Sequence, residues 1–502
     1  MPGYPRRRVS PRRLTRMQLA LLALVAAGAA VRFSTLDVQS FWLDEGITVR
    51  LLRTDLLGML GDVPRSEQAP PLYYVLAWLW TRPFGTGEVG VRSLSALLGT
   101  ATVPIAFAAG RRLLSERAGV IAAALAAFSP LLVWYSQEAR SYALLVPLAG
   151  LTIVLFLRAL EPAPVAGAPA EGPRALWAWA AVAALALATH YFALFLVAPQ
   201  ALLLLMRAAS RRAAARAVAA VAIVGAALLP LAIHQAGHGG AKFIGGTPLA
   251  TRAVQIPKQF LVGYDSPAEV PITLVAALLA ALALFLVVTR ADAVERRRAG
   301  IVALLAAVAV GVPLLLSIVG IDYLVTRNVI GGWPPFALVL AAGFGARRAG
   351  LVGPMAAAAL CALGLTAIVA VDVRPEFQRD DWRGAVEALG PPTATRAIVL
   401  SPVNGGAVMA DYTRNLRRFP GHPTTVGEID LLAVAHRRPG QTPRPARPAA
   451  PRVPGFRVVE RRTATTFTLI RLRADRPLPF TADALDSLRL EPVVSETLIQ
   501  SP

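Results

Sequence analysis

The sequence has 502 residues, of which 55% are hydrophobic, and it carries a formal net charge of +21. Its mean hydropathy of +0.55 is far above that of a soluble protein, and several apolar runs reach the roughly 18 to 20 residues that a helix needs to cross a bilayer. The composition therefore excludes an ordinary soluble protein and indicates an all-α polytopic membrane protein. Because the arginines lie in short blocks between apolar runs, we expect them to set membrane topology and expect no nucleic-acid partner.

The N-terminal segment 1–16 is basic and precedes an apolar run, as in a signal peptide, but no clear cleavage site follows it. We therefore expect a cytoplasmic basic arm before a retained first helix. The single cysteine, Cys361, lies within an apolar run, which excludes an intramolecular disulfide and gives no cysteine cluster for a metal.

Hydropathy predicts a transmembrane domain over residues 17–371 with about 11 membrane-spanning helices. The predicted spans are 17–36, 91–113, 117–135, 141–158, 174–189, 191–207, 214–234, 270–289, 300–320, 330–346 and 350–371.

The arginine-rich segments between these spans predict the orientation, because positive loops stay on the cytoplasmic side of the plasma membrane. They place the N-terminus in the cytoplasm and a first outer loop, 37–90, outside. Segment 70–85 is apolar and aromatic but too short to cross, and we expect an interfacial helix there.

After residue 372 the sequence changes to mixed helix and strand patterns. "DDWRGAVEAL" predicts a helix, "RAIVLSP" a buried strand, and "FRVVERRTATTFTLIRL" one or two strands. We expect residues 372–502 to form a small extracytoplasmic α/β domain, with a Pro/Arg-rich linker over 436–455.

The strongest candidates for chemistry are Asp44 and Glu45, which follow the first span and are flanked by apolar residues. A carboxylate at the membrane edge can accept a proton from a hydroxyl group or hold a divalent cation. The alternative is an ordinary solvated loop, but charge close to a membrane is costly and usually functional.

Further polar residues mark other predicted outer turns. Glu138 and Arg140 lie in one short hairpin and should be near one another, so the alternative to function is an ion pair that caps two helices. His190 is as consistent with packing as with catalysis. Arg327 lies outside against the positive-inside bias, which suits an anion at the outer surface, and Lys258 is a weaker candidate for a phosphate contact.

Six motifs occur in order along the chain: "WLDE" at 42–45, "PPLYY" at 70–74, "E-x-x-x-R-x-x-S-A-L-L-G" at 88–99, "GRRL" at 110–113, "SP-x-x-x-WYSQEARSYAL" at 129–144 and "THYFALF" at 189–195. Together they resemble the bacterial membrane glycosyltransferases of the GT-C superfamily. The resemblance is to protein O-mannosyltransferases and to the aminoarabinose and galacturonic acid transferases of lipopolysaccharide.

The resemblance implies a sugar donor carried on a polyprenyl phosphate and a cell-envelope acceptor, which is a protein, a lipid or a glycan. It implies Asp44 as general base, with Glu45 and Glu138 as further catalytic carboxylates. Arginines would hold the phosphate that leaves as an anion, and a single displacement would invert the anomeric centre. The predicted donor-phosphate contacts are Arg140, Arg327 and, from its position in the chain alone, Lys258. The predicted substrate-cavity residues are Tyr73, Tyr74, Gln137, Tyr142, His190 and Tyr191.

No cofactor is required by the pattern, although Asp44 or Glu138 could bind a divalent metal ion that bridges to the phosphate. The main alternative is a lipid-linked-sugar transporter or flippase, and a third is a membrane-anchored receptor. Transporters usually carry ionisable residues near the bilayer midplane and show repeated halves, whereas the candidates here gather at one membrane edge. The enzyme class is therefore favoured, while the sugar and the acceptor stay open.

Overall fold

The computed structural model describes residues 15–161, 171–237, 242–434, 449–491 and 493–502. Most of the predicted N-terminal arm and most of the predicted Pro/Arg-rich linker lie outside the described residues. The described part consists of a helical domain followed by a small domain with one β-sheet, which confirms the predicted fold class.

Sixteen α-helices of the described residues precede the sheet domain. They are α1 (Arg16–Phe33), α2 (Leu43–Leu52), α3 (Leu56–Ser66), α4 (Leu72–Phe84), α5 (Glu88–Leu113), α6 (Glu116–Ala127), α7 (Pro130–Ser136), α8 (Tyr142–Leu160), α9 (Glu171–Thr189), α10 (Leu194–Arg207), α11 (Arg211–Gly237), α12 (Leu249–Val262), α13 (Glu269–Arg290), α14 (Ala293–Ile318), α15 (Trp333–Gly345) and α16 (Val352–Val373).

Each of the predicted spans contains an apolar helix, but fewer than 11 helices are long and apolar enough to cross a membrane. Among the described residues seven pass this test, or eight if α6 and α7 form one bent span. The helices α10 and α15 are shorter, and nearly every residue of α15 is buried by protein. Hydropathy does not distinguish a helix buried in protein from one that faces lipid, so the total of about 11 remains a prediction.

The chain bends by 55° between α6 and α7. Pro130 begins α7 and Ser129 caps it, so the helical hydrogen bonding is interrupted there. The buried guanidinium of Arg32 donates to the carbonyl oxygens of Ala126 and Ala127 at 2.8 and 3.0 Å, which satisfies the end of α6. The chain therefore turns sharply before the hairpin at 137–141.

The first outer loop folds into three short helices, α2, α3 and α4. Segment 70–85 forms α4, a helix of 13 residues, and its length agrees with the prediction that it does not cross the membrane. Neither α2 nor α3 was predicted from the sequence, although Asp55 caps α3 by accepting a hydrogen bond from the Gly58 amide at 2.8 Å.

The C-terminal domain contains one six-stranded mixed sheet with the order β2-β6-β1-β3-β5-β4. Strands β1 and β3 are parallel, and the other neighbours are antiparallel. Its elements are α17 (Trp382–Leu389), β1 (Arg396–Ser401), α18 (Gly405–Met409), β2 (Leu416–Arg418), β3 (Thr424–Val434), β4 (Phe456–Thr463), β5 (Phe467–Phe480), α19 (Ala482–Asp486) and β6 (Glu496–Gln500).

The predicted helix and first strand of this domain are confirmed as α17 and β1, and the segment predicted to form one or two strands forms two, β4 and β5. The sheet packs against the first outer loop through one hydrophobic core shared by α2, α4, α17 and α18. At this contact a methyl group on Gly46 of α2 would lie 2.8 Å from Cγ2 of Val408 in α18. The C-terminal domain therefore rests directly on the helix that carries Asp44 and Glu45.

Candidate active site

Asp44 lies in the first turn of α2, where the helix dipole favours a negative charge. Its Oδ2 accepts a hydrogen bond from Nη1 of Arg327 at 3.0 Å. The side chains of Asp44 and Arg327 are 25% and 20% exposed. The Arg327 guanidinium also faces the rings of Trp42 and Phe243, at 5.9 and 5.2 Å from the ring centroids. A carboxylate and a cation therefore lie side by side, partly exposed to solvent and next to aromatic rings.

Glu45 is completely buried, although it is the next residue along the chain. Its two oxygens accept hydrogen bonds from Nε and Nη2 of Arg92 at 2.8 and 2.6 Å. Its Oε1 also accepts from the Ala139 amide at 3.0 Å. Burial would raise the pKa of Glu45, but the Arg92 charge lowers it below the usual range. This geometry favours a structural role for Glu45 that joins the first loop to the hairpin at 137–141.

Glu138 and Arg140 lie in the same hairpin, as expected, but each forms its ion pair with a residue outside the hairpin, so the alternative of a self-neutralising pair is not what the structure shows. Glu138 is buried, and its Oε2 accepts a hydrogen bond from Nη2 of Arg379 at 2.9 Å. Burial raises the pKa of Glu138 to about 7, because the Arg379 charge offsets only part of the lost hydration and the charges of Glu45 and Asp44 oppose ionisation. Its Oε1 has no hydrogen-bond partner among the described residues.

Arg140 pairs instead with Glu67, which the sequence analysis did not select. Its Nη1 donates to Oε1 of Glu67 at 2.7 Å and to Oγ1 of Thr48 at 3.1 Å. Burial raises the pKa of Glu67 above its usual value, although the Arg140 charge lowers it. Because the Arg140 charge is already balanced by a buried carboxylate, Arg140 is poorly placed to bind a donor phosphate as predicted.

The predicted cavity residues Tyr73, Tyr74, Gln137 and Tyr142 are all buried. The Tyr73 hydroxyl is hydrogen-bonded to Ser95 at 2.9 Å, and Nε2 of Gln137 donates to Thr35 and to a backbone carbonyl of α1. The Tyr142 ring packs edge-on against Tyr135 at 4.9 Å and tilted against His190 at 5.7 Å. The Tyr142 ring therefore lies between the end of α7 and the turn at His190.

The remaining predicted residues, His190, Tyr191 and Lys258, form hydrogen bonds or ion pairs with other residues of the protein. Nδ1 of His190 accepts a hydrogen bond from the Phe192 amide at 3.2 Å, and burial with nearby arginines lowers the His190 pKa to about 3, so the ring is neutral. The Tyr191 hydroxyl donates to Oε1 of Gln235 at 2.7 Å.

Lys258 forms an ion pair with Glu269 at 2.6 Å and also donates to the Tyr264 carbonyl. A phosphate contact to Lys258 would require this pair to break. The sequence-based assignment of Lys258 to the donor site therefore gains no support from its position.

Three charged residues of this region escaped the sequence analysis as site residues, namely Arg92, Glu67 and Arg379. Arg92 is the arginine of the quoted motif at 88–99, and Glu67 lies three residues before the start of the "PPLYY" motif, so a signal was present for both. Arg379 lies in the C-terminal segment, where no local pattern connects it to the hairpin. Among the described residues, no group of three or more His, Cys, Asp or Glu side chains could hold a metal ion.

Two cavities of the described region are lined by residues of the C-terminal segment. The larger, of about 730 Å³, is between the end of α2 and the C-terminal domain and is lined by Arg53, Asp411 and Arg414 among others. The second, of about 280 Å³, has Arg379 in its wall. Asp44 lines neither of these two cavities.

The sequence model for the family described as dolichyl-phosphate-mannose-protein mannosyltransferase matches residues 68–234, about a third of the chain. Over that part of the chain the match confirms the resemblance that the motifs predict. A search of curated proteins found no match.

Several solved structures resemble the chain at low sequence identity. For ArnT from Cupriavidus metallidurans in the apo state, the identity is 14% and the TM-score 0.46, over 66% of this chain and 60% of that chain. For the same protein bound to undecaprenyl phosphate, the identity is 15% and the TM-score 0.38, over 90% of this chain and 97% of that chain. For the oligosaccharyltransferase AglB from Archaeoglobus fulgidus, in complex with an inhibitory peptide and a dolichol-phosphate, the identity is 11% and the TM-score 0.49, over 78% of this chain and 63% of that chain. The chain thus spans about three fifths of the length of apo ArnT and of AglB.

Proposed function

We propose that this protein is an integral-membrane glycosyltransferase that moves a hexose or pentose from a polyprenyl-phosphate donor to a cell-envelope acceptor. The observation that carries the proposal is the partly exposed Asp44–Arg327 pair at 3.0 Å. A sugar transfer of this kind needs one base and one cation at the same place. The matched family supports the donor class, because its description specifies a dolichyl-phosphate-linked sugar.

In the proposed reaction an acceptor hydroxyl attacks the anomeric carbon of the donor sugar. A new carbon–oxygen bond forms there while the bond to the phosphate oxygen breaks, and the bonding electrons leave with the polyprenyl phosphate. Asp44 takes the proton of the attacking hydroxyl. One displacement inverts the anomeric centre, and positioned base catalysis of this type typically contributes about 10² to 10⁴ in rate.

Arg327 is the proposed phosphate-binding residue. Among the described residues, Asp44 is the side chain that accepts a hydrogen bond from Arg327, and a guanidinium carries five N–H donors in total. The remaining donors can bind phosphate oxygens in the forked geometry that arginine favours. Arg327 would then balance the negative charge that develops on the leaving group while it stays beside the base.

Glu138 is proposed as the second carboxylate of the site. Its buried Oε1 lacks a donor among the described residues, and such unsatisfied atoms in a folded protein call for a specific explanation. We propose that a substrate hydroxyl or a water molecule enters with the substrate and donates to this oxygen. Arg140, Glu67 and Glu45 then act as the buried charge framework that fixes the hairpin and α2.

We also propose that residues 17–371 form the catalytic membrane domain of a plasma-membrane protein, with a cytoplasmic N-terminus and residues 372–502 outside. Glu116 and Asp475 are exposed, at 55% and 89% of their side chains, on opposite predicted sides. In a variant with Cys361 replaced by alanine, single cysteines at these two positions test the orientation. An impermeant maleimide should label intact cells at 475 and not at 116, and the opposite result would reverse the topology.

The decisive experiment measures sugar transfer by purified protein in nanodiscs. A radiolabelled polyprenyl-phosphate sugar serves as donor, and envelope extract from cells without the gene supplies acceptors. Asp44→Asn should lower the rate by about 10² to 10⁴ because asparagine cannot accept the proton. Asp62→Asn is the matched control, since Asp62 lies in the same outer loop with a side chain that is 54% exposed.

Full turnover by Asp44→Asn would reject Asp44 as the base. Movement of intact lipid-linked sugar across the bilayer, without release of polyprenyl phosphate, would instead favour the transporter alternative. Mass spectrometry of envelope glycans from cells with and without the gene would identify the transferred sugar.

A further inference from the structure

Arg379 reaches the candidate site from the C-terminal segment that follows α16. Its side chain is 5% exposed and its guanidinium lies 4.0 Å from the ring centroid of Trp134. Nη2 of Arg379 donates to Oε2 of Glu138 at 2.9 Å and to the Trp134 carbonyl at 3.2 Å. Arg379 therefore binds both the end of α7 and the hairpin that carries Glu138.

The backbone beside Arg379 is fastened to the residues that lead into α2. The Arg379 amide donates to Oε1 of Gln39 at 2.9 Å. The Ser40 hydroxyl donates to the Asp380 carbonyl at 2.9 Å, and the Trp382 amide donates to the Ser40 hydroxyl at 3.0 Å. These contacts hold the chain just before Asp44 against the C-terminal segment.

The same short stretch is also tied to the buried pair beneath it. The carbonyl oxygens of Gln39 and Ser40 accept hydrogen bonds from Arg92 at 2.7 and 2.9 Å, and Arg92 in turn holds Glu45. Segment 379–382 thus contacts both parts of the site, the start of α2 and the hairpin at 137–141.

A buried carboxylate beside other negative charges requires a cation to hold it in one place. The charged groups that face Glu138 are Arg379 from the C-terminal segment, Glu45 and Asp44 from α2, and Arg140 from the same hairpin. Arg140 is occupied by Glu67, whereas Arg379 forms the direct ion pair with Glu138. Loss of Arg379 would leave Glu138 free to change its position relative to Asp44.

We propose that Arg379 is a positioning residue for the sugar transfer, which holds Glu138 and the hairpin at 137–141 in place opposite Asp44. This inference rests on the proposed function. It makes the C-terminal segment an integral part of the active site, in addition to any role of the sheet domain in binding the acceptor.

The test compares three single variants, Arg379→Gln, Arg379→Lys and Glu138→Gln, with the double variant that combines Arg379→Gln and Glu138→Gln. Arg374→Gln is the matched control, because Arg374 lies in the same segment and is exposed. Arg379→Gln should lower kcat by about 10- to 100-fold, the loss expected from a small misplacement of a catalytic group, with little change in donor KM. Arg379→Lys should recover part of this loss, because lysine keeps the charge but lacks the planar fork.

The double variant separates positioning from an independent effect. If Arg379 acts through Glu138, the double variant should be no slower than Glu138→Gln alone. Losses that multiply in the double variant, or wild-type kcat in Arg379→Gln, would overturn the inference.

Thermal melting provides a readout that does not depend on activity. Arg379→Gln should lower Tm by leaving a buried carboxylate without its cation, and adding Glu138→Gln should restore much of the loss. If wild-type protein transfers no sugar while this rescue occurs, the ion pair stands and the proposed function fails. If transfer occurs without the rescue and without a change in kcat, the inference about Arg379 fails alone.

Discussion

Replacement of Glu45 by glutamine should separate stability from catalysis at two adjacent residues. Glutamine can keep an oxygen toward the Ala139 amide and Nε of Arg92, but it turns an N–H₂ group toward Nη2, where Oε2 now accepts at 2.6 Å. A donor then faces a donor, and the 1% exposed Arg92 loses its balancing charge. Removing one partner of a buried ion pair costs about 3–5 kcal/mol, so we expect a loss of unfolding free energy of that size.

The assay is thermal and chemical unfolding in detergent, followed by tryptophan fluorescence, together with transfer per folded molecule. Glu116→Gln is the control, since that carboxylate is exposed and its pair with Arg111 spans 3.7 Å, which should change stability by less than about 0.5 kcal/mol. Asp44→Asn should melt close to wild type while transfer is lost. A Glu45→Gln protein with wild-type stability and no turnover would refute the structural role and return Glu45 to the catalytic set.

Three further outcomes follow from the site. Arg327→Ala should raise donor KM by about 10- to 150-fold through loss of a charge-assisted phosphate contact, while the exposed Arg65→Ala should leave it unchanged. Burial raises the pKa of Glu138 to about 7 in the folded state, whereas the unfolded value is about 4.3. The contribution of Glu138 to the free energy of unfolding should therefore be fully present below about pH 4 and be lost as the pH rises through 7. Glu138→Gln should remove that part of the decline in Tm. His190→Asn should retain transfer because it preserves the N-cap acceptor, and a loss above about 100-fold would indicate catalysis by His190.

Helix positions could be predicted closely because the apolar runs are long and bounded by charge. The span predicted at 270–289 is observed as Glu269–Arg290, and the one at 214–234 as Arg211–Gly237. The break near Ser129 and Pro130 was not predicted, although a proline after a capping serine is a usual signal for a new helix start. The signal was missed because α6 and α7 form one continuous apolar segment in the sequence.

Several residues of the site were selected from the sequence, but the contacts between them were not predicted. Asp44 and Arg327 were both selected, and the structure brings them together across 283 residues of sequence. Glu138 and Arg140 were expected to lie near one another because only Ala139 separates them, yet their ion-pair partners are 241 and 73 residues away. Local spacing limits which side chains can meet within a hairpin, but a buried charge takes the cation that tertiary packing delivers.

The close contact between Gly46 and Val408 has a consequence for attempts to exchange parts of this protein. Gly46 is two residues from Asp44, and even one added methyl carbon there would approach Val408 to 2.8 Å, too close without a shift of one of the elements. A chimaera that carries the C-terminal domain of a different protein must therefore present a surface that fits against α2 at a position without a side chain. Grafting by sequence length alone should yield proteins that insert and fold but hold the reacting groups out of alignment.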